Sequence, residues 1–318
     1  MSDSGSRDER LQRRPGHPPR WLNAFLFATT LVTTFFAGAM FLSADSLAGQ
    51  AANGLAFMAA LMGILVAHEM GHYAMARRNR VDASLPLFIP VPPFLVPIGT
   101  LGALILMRDR IRSRDALMEV GAAGPLAGMA VALPVLLVGL SRCPVGPIPE
   151  GGFMEGQSLL YVAAKALVVG PIPEGHDIYV DRSPLAWAGW LGLLVTMINL
   201  MPIGQLDGGH IAYALLGPRQ RAATRVMLGA LFGLGVAVMG WHGSSAWHAG
   251  LRGEALATRA LVGFNWVFWG VLLLLLRRRI LEHPPTDDDR LSPVHRAVGW
   301  ACLALFALLF MPYIMRPT

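Results

Sequence analysis

Residues 54–76 read GLAFMAALMGILVAHEMGHYAMA, and the reading of that stretch decides what kind of protein this is. A helix rises 1.5 Å per residue, so about 20 apolar residues cross a hydrocarbon core of about 30 Å. The stretch is long and apolar enough to do so, yet it holds His68, Glu69 and His72. A charged group at such depth costs about 2.5 kcal/mol or more unless it is paired or metal-bound. His68 and His72 stand at i and i+4, on one helical face. Imidazole nitrogens suit Zn²⁺, and two ligands one turn apart can take adjacent corners of a tetrahedron without distorting the helix. Glu69 can reach a water whose pKa the ion lowers towards about 7, and so act as a general base. Hydrogen bonding to neighbouring helices would explain a single membrane histidine, but it is a poor account of three such groups in register.

A catalytic zinc wants a third protein ligand and an open fourth position. Asp207 is the candidate, within Asn199-Leu-Met-Pro-Ile-Gly-Gln-Leu-Asp-Gly-Gly-His210. Pro202, Gly204, Gly208 and Gly209 interrupt the helix there, and unwound backbone at membrane depth implies a cavity. His210 is the alternative ligand, and an ordinary span-ending turn capped by Asp207 is the bland reading.

The rest of the chain fits a membrane setting. Hydrophobic residues make up 54% and charged ones 14% of 318 residues, too apolar for a soluble domain. The formal charge of +6 comes from arginine clusters beside apolar runs, which orient spans rather than bind nucleic acid. Cys143 and Cys302 match no zinc or redox spacing. The expected fold is an all-α polytopic membrane protein with about seven transmembrane helices, at 21–42, 54–76, 117–140, 184–201, 226–241, 261–276 and 297–314. Residues 1–20 read as a disordered cytoplasmic tail and 21–50 as a first anchor with a short outer loop. Residues 51–217 are then the catalytic membrane core, and 218–318 the C-terminal helices. A cleaved signal peptide is the competing reading of the first span.

Between the second and third spans, residues 84–107 are apolar but broken by prolines and glycines, so a re-entrant loop or β-hairpin is expected. Backbone of that kind must rest on protein or line a watery cavity, which makes it a candidate substrate edge. With the N-terminus inside, twenty of the 26 basic residues fall on the inner side. Topology is thus expected to be N-in and C-out. The 141–183 outer loop holds an apolar stretch, 159–169, too short to span and free to lie at the interface or cover the bundle. No strand-rich pattern is evident there. Trp187, Trp190, Trp241, Trp266 and Trp269 are expected as interface anchors and lipid-facing bulk. Asp287, Asp288 and Asp289 read as a solvated charge run.

These motifs together resemble the site-2 protease family of intramembrane metalloproteases. His68-Glu-Met-Gly-His72 is similar to its first metal motif, Gly121-Ala-Ala-Gly-Pro-Leu-Ala-Gly128 to its glycine-rich packing segment, and Asn199 to Gly209 to its Leu-Asp-Gly motif. The proline-rich stretch through Phe88-Ile-Pro90 and Gly99 to Arg114 is similar to the subgroup of chloroplast members and their bacterial relatives, and no stretch between the metal motifs is long enough for a PDZ domain. The resemblance implies a three-helix catalytic core binding one Zn²⁺, with His68 and His72 on its first helix and Asp207 on its third. Glu69 would activate water, and Asn199 would hydrogen-bond substrate or the developing oxyanion. Expected partners are the lipid bilayer and membrane proteins with a single transmembrane helix, unwound as an extended strand for cleavage. A bacterial inner membrane is the expected location. Gly121, Gly124 and Gly128 are read as close helix packing. A zinc transporter or a non-proteolytic metal-binding membrane protein is the alternative class. It predicts a through path, and the sequence holds one metal constellation and no inverted repeat.

Overall fold

The computed structural model describes residues 18–318 apart from 108, 150, 276–285, 288 and 289. Most of the expected tail, the end of the sixth expected span, and Asp288 and Asp289 lie outside the described residues.

Two long helices open the chain, α1 (Arg20–Phe41) and α2 (Leu47–Arg78). Ser46 begins α2 by accepting the Gly49 N–H at 3.1 Å, the usual remedy for an unpaired helix-start donor. They pack closely because small residues face large ones: a Cβ on Gly38 would stand 2.6 Å from Phe57, and one on Gly54 would stand 2.7 Å from the Phe35 carbonyl. The broken segment that follows takes the hairpin form. Strand β1 (Leu87–Pro90) pairs antiparallel with β2 (Thr100–Leu104), and an Ala83–Met107 bridge extends the pairing. The hairpin is strapped to α1, where Asn23 Nδ2 donates to Leu85 and Pro86 carbonyls at 3.1 and 3.0 Å. Strand β1 runs along α1, while the end of β2, at Ala103 and Leu104, borders the interior cavity.

Helix α3 (Arg114–Leu140) and helix α5 (Pro184–Asn199) complete a mutually packed trio with α2. Asp207 is not on the third of these, contrary to the expectation. Helix α5 stops at Asn199, and Asp207 begins a separate helix, α6 (Asp207–Leu216), after a seven-residue break at 200–206. Pro202 lacks an amide proton and Gly204 takes a φ of 54°, so the helix cannot run through.

The loop at 141–183 folds over the bundle rather than staying irregular. It supplies β3 (Val145–Pro147), β4 (Phe153–Glu155), α4 (Leu159–Val168) and β5 (His176–Ile178). β3 pairs with β5, and at three residues each these strands are too short to leave a strand-rich pattern in the sequence. Helix α4 is the short apolar stretch, and it covers the bundle: Tyr161 is buried and donates to Glu155 at 2.9 Å, while Lys165 pairs with Asp177 at 3.0 Å. Burial pushes the Glu155 carboxyl above its ordinary range.

Helices α7 (Gln220–His248), α8 (Gly253–Ala260), α9 (Phe264–Leu275) and α10 (Pro293–Leu309) follow, and a last strand, β6 (Met315–Pro317), pairs with β4. At the start of α10, His295 meets Asp115 and Glu119 of α3 at 3.3 and 3.2 Å. Among the described residues four helical stretches are long and apolar enough to cross a membrane, or five if α8 and α9, bent by 56°, form one broken span. The expected count of seven is not reached by length. Helices α5 and α10 have 16 and 17 residues, and the sixth expected span breaks where Gly263 adopts a φ of 96°. Two tryptophans also depart from expectation. Trp190 and Trp266 are buried and donate their indole N–H to the Gly156 and Pro312 carbonyls at 2.9 and 2.7 Å. Those partners lie far off in sequence, so spacing within one helix gave no sign of them.

Candidate metal centre

The C-terminal half of α2 presents His68, Glu69 and His72 to the interior, all three buried. Helix α3 can approach them because of its glycines. A Cβ at position 124 would stand 2.0 Å from His72 Nε2, and one at position 128 would stand 3.2 Å from His68 Cβ and Nδ1. The Gly124 to Gly128 stripe is therefore close packing, as expected, and also the recess in which both imidazole rings lie. The sequence pattern alone pointed to packing, because nothing in it says which neighbour fills the recess. His72 Nδ1 donates to the Val120 carbonyl at 2.7 Å. That bond fixes the ring's tautomer and leaves the Nε2 lone pair for a metal.

Asp207 arrives from the opposite wall at the N-terminus of α6, where the helix dipole favours an acid. Its Oδ2 lies 3.2 Å from His68 Nε2 and 3.2 Å from His72 Nε2, and the two nitrogens are 3.1 Å apart. Ligands held about 2.0–2.1 Å from a tetrahedral zinc stand about 3.3–3.4 Å from one another, close to the sides of this triangle. The donor set, two imidazole nitrogens and a carboxylate oxygen facing one point, therefore fits that ion. Among the described residues this is the one cluster of three metal-ligating side chains whose donor atoms converge. His210, the alternative ligand, lines the same cavity, but its donor atoms are not part of the cluster. Asn199, the last residue of α5, brings its amide nitrogen within 3.3 Å of His68 Nε2.

A cavity of about 570 Å³ opens onto the cluster. Glu69 and Asn199 border it on one side, and residues 103–107 at the end of the hairpin border it on another. The hairpin's share in the site was only partly legible: its proline and glycine content marked it as broken backbone, not which strand would face the donors.

A HExxH helix and a carboxylate from a second, interrupted element, meeting in a bundle of apolar helices, define a membrane-embedded metal site of the zincin type. The chain belongs to peptidase family M50, whose sequence pattern matches residues 56–239. It is 33% identical over 180 residues to the probable zinc metalloprotease EGY2, chloroplastic, of Arabidopsis thaliana, covering 56% of this chain and 30% of that protein. It is 30% identical over 260 residues to the probable zinc metalloprotease EGY1, chloroplastic, of the same plant, covering 79% and 42%. The probable zinc metallopeptidase EGY3, chloroplastic, also of Arabidopsis thaliana, matches at 29% over 236 residues. The chain thus spans between 30% and 42% of the length of these relatives. No solved structure matches it.

Proposed function

We propose that this protein is an intramembrane zinc metalloprotease that hydrolyses peptide bonds in transmembrane segments of other membrane proteins. The observation that carries the proposal is the triangle of His68 Nε2, His72 Nε2 and Asp207 Oδ2, with sides of 3.1–3.2 Å, beside the Glu69 carboxylate in one cavity. His68, His72 and Asp207 hold the zinc. When bound, that ion polarises the scissile carbonyl and acidifies a water molecule. Glu69 takes the proton from the attacking water as the new C–O bond forms, and returns it to the leaving nitrogen as the C–N bond breaks. One water is consumed and two chain ends result. Asn199 donates its amide N–H to the substrate oxygen on which negative charge develops. The protein positions these groups and keeps bulk lipid from them.

A transmembrane helix satisfies its own backbone bonds and hides its carbonyls, so a substrate must unwind before it is cut. The exposed side of β2 provides replacement partners, because β1 is occupied against α1 while β2 ends at the cavity. Substrates are accordingly single transmembrane helices with a weak point. Purified protein in detergent is expected to cleave a labelled transmembrane segment carrying a Gly-Pro pair at least tenfold faster than a poly-leucine one, and a zinc chelator should abolish both reactions. Zinc binding without cleavage of either segment would sink the protease reading and return transport or binding to consideration. The presence of a single convergent cluster among the described residues is what disfavours transport here.

The arginine distribution supports an orientation with the N-terminus on the cytoplasmic side of the membrane. In a Cys143→Ser background, a cysteine introduced at the exposed Glu174 should then react with an impermeant maleimide in intact cells, while one introduced at Arg221 should react only after lysis. The reverse pattern would invert the topology.

A further inference from the structure

The loop carrying Asp207 is held from outside, by α7. Residues 200–206 make short backbone bonds of their own, such as Leu206 N–H to the Ile203 carbonyl at 3.1 Å. Their position relative to the bundle depends on two side chains one turn apart. The Thr224 hydroxyl accepts the Gly204 N–H at 3.2 Å and donates to the Pro202 carbonyl at 3.3 Å. Gln220 donates its two amide protons to the Gly204 carbonyl at 3.2 Å and to Thr224 Oγ1 at 3.0 Å. Every donor of the pair is used, and the hydroxyl takes its full complement. Both residues are buried, Gln220 at 0% exposure and Thr224 at 3%.

Core stability alone does not account for this arrangement. Gln220 Oε1 is buried with no hydrogen-bond partner. A methionine of similar length would carry no such orphaned acceptor, so the gain from glutamine lies in its donors. One of those donors ends on the carbonyl that matters for the metal centre, that of Gly204: a Cβ on Gly209 would stand 2.2 Å from the Gly204 oxygen, and one on Gly208 would stand 1.9 Å from the Leu200 oxygen. The first turn of α6 therefore rests directly on the backbone that Gln220 and Thr224 grip, and Asp207 is the first residue of that turn.

We infer that Gln220 and Thr224 are positioning residues for the metal centre, setting the place of Asp207 through the Pro202–Gly204 backbone. The inference rests on Asp207 being a zinc ligand, as proposed above. Zinc sites tolerate about 0.2 Å in ligand distance, so a loop free to shift by about half an ångström surrenders much of that ligand's contribution.

The test uses the full chain in detergent, with zinc affinity measured by chelator competition and the visible absorption of the Co²⁺-substituted protein as a signature of ligand geometry. Thr224→Val and Gln220→Met are expected to weaken zinc by about 10–100-fold, the range for partners that support a ligand, and to shift the cobalt bands. Thr224→Ser keeps the hydroxyl and should restore both readouts. Thr34→Val removes another buried hydroxyl, bonded within α1 to the Thr30 carbonyl at 2.7 Å, and should move neither. Wild-type affinity and cobalt bands in Thr224→Val and Gln220→Met would overturn the inference, and so would an equal loss of zinc in Thr34→Val. Should Thr224→Val fail to fold, Gln220→Met against Thr224→Ser makes the same comparison. Asp207→Ala separates the two readings: if it loses zinc while Thr224→Val and Gln220→Met do not, only the positioning role falls. If it retains zinc, the ligand assignment falls and the positioning role with it.

Discussion

Glu69→Gln is expected to bind zinc as the wild type does and to lose cleavage by about 10²–10⁴-fold, the usual contribution of a positioned general base. At 1.36 kcal/mol per tenfold, that is about 3–5 kcal/mol of barrier. The amide keeps the shape of the carboxylate, so packing between α2 and its neighbours should be undisturbed, but it has no basic oxygen with which to take a proton from water. The metal triangle is made by other atoms, His68 Nε2, His72 Nε2 and Asp207 Oδ2, so zinc content should not follow activity down. Turnover of the helix-broken substrate and metal content are to be measured on the same preparation. Cleavage by Glu69→Gln within threefold of wild type would remove Glu69 from the mechanism. Loss of zinc together with activity would make it a ligand or a structural residue instead of the base.

How far the sequence anticipated this molecule depends on the range of the physics involved. The metal motif was legible because its logic is local: His68 and His72 lie one turn apart on a single helix, and polar groups at that depth need a reason. Asp207 was legible because an acid among Pro202, Gly204 and the Gly208–Gly209 pair is conspicuous in an apolar run. The hairpin followed from proline and glycine content, although a re-entrant loop satisfied the same composition. The count of seven spans is not confirmed by helix length, for a complementary reason. Hydropathy counts apolar residues without knowing where backbone breaks, and α5 ends after 16 residues while Gly263 bends the α8–α9 pair.

What the sequence concealed were relations between elements. Gly124 carries no chemistry, and its importance becomes visible only when the His72 ring is seen in the space its missing Cβ leaves. Trp190 and Trp266 have the hydropathy of interface anchors, and only their contacts with Gly156 and Pro312 show that each is buried with a satisfied N–H. Gln220 and Thr224 open an otherwise unremarkable helix start, and their partners are backbone groups 16 to 22 residues away. Tertiary contacts of this kind leave no periodic trace along the chain.

Asp207→Ala is expected to lose zinc and cleavage together while the apoprotein keeps its fold. A ligand lost from a three-residue donor set should cost more than the about 10–100-fold that loss of an outer partner costs. The apoprotein has less to lose, because His68 and His72 keep Asn199 and Val120, respectively, within hydrogen-bonding distance. Thermal unfolding tells ligation apart from folding. Zinc binds the folded chain, so at a thousandfold excess over its dissociation constant it should stabilise wild type by about 4 kcal/mol. Asp207→Ala should unfold near the wild-type apoprotein and fail to respond to added zinc. His210→Ala is the companion variant, since His210 borders the same cavity and was the other candidate for the third ligand. Zinc retained in Asp207→Ala but lost in His210→Ala would transfer the assignment to the histidine. Loss in Asp207→Ala alone leaves the carboxylate at the start of α6 as the ligand and the break at 200–206 as the feature that delivers it.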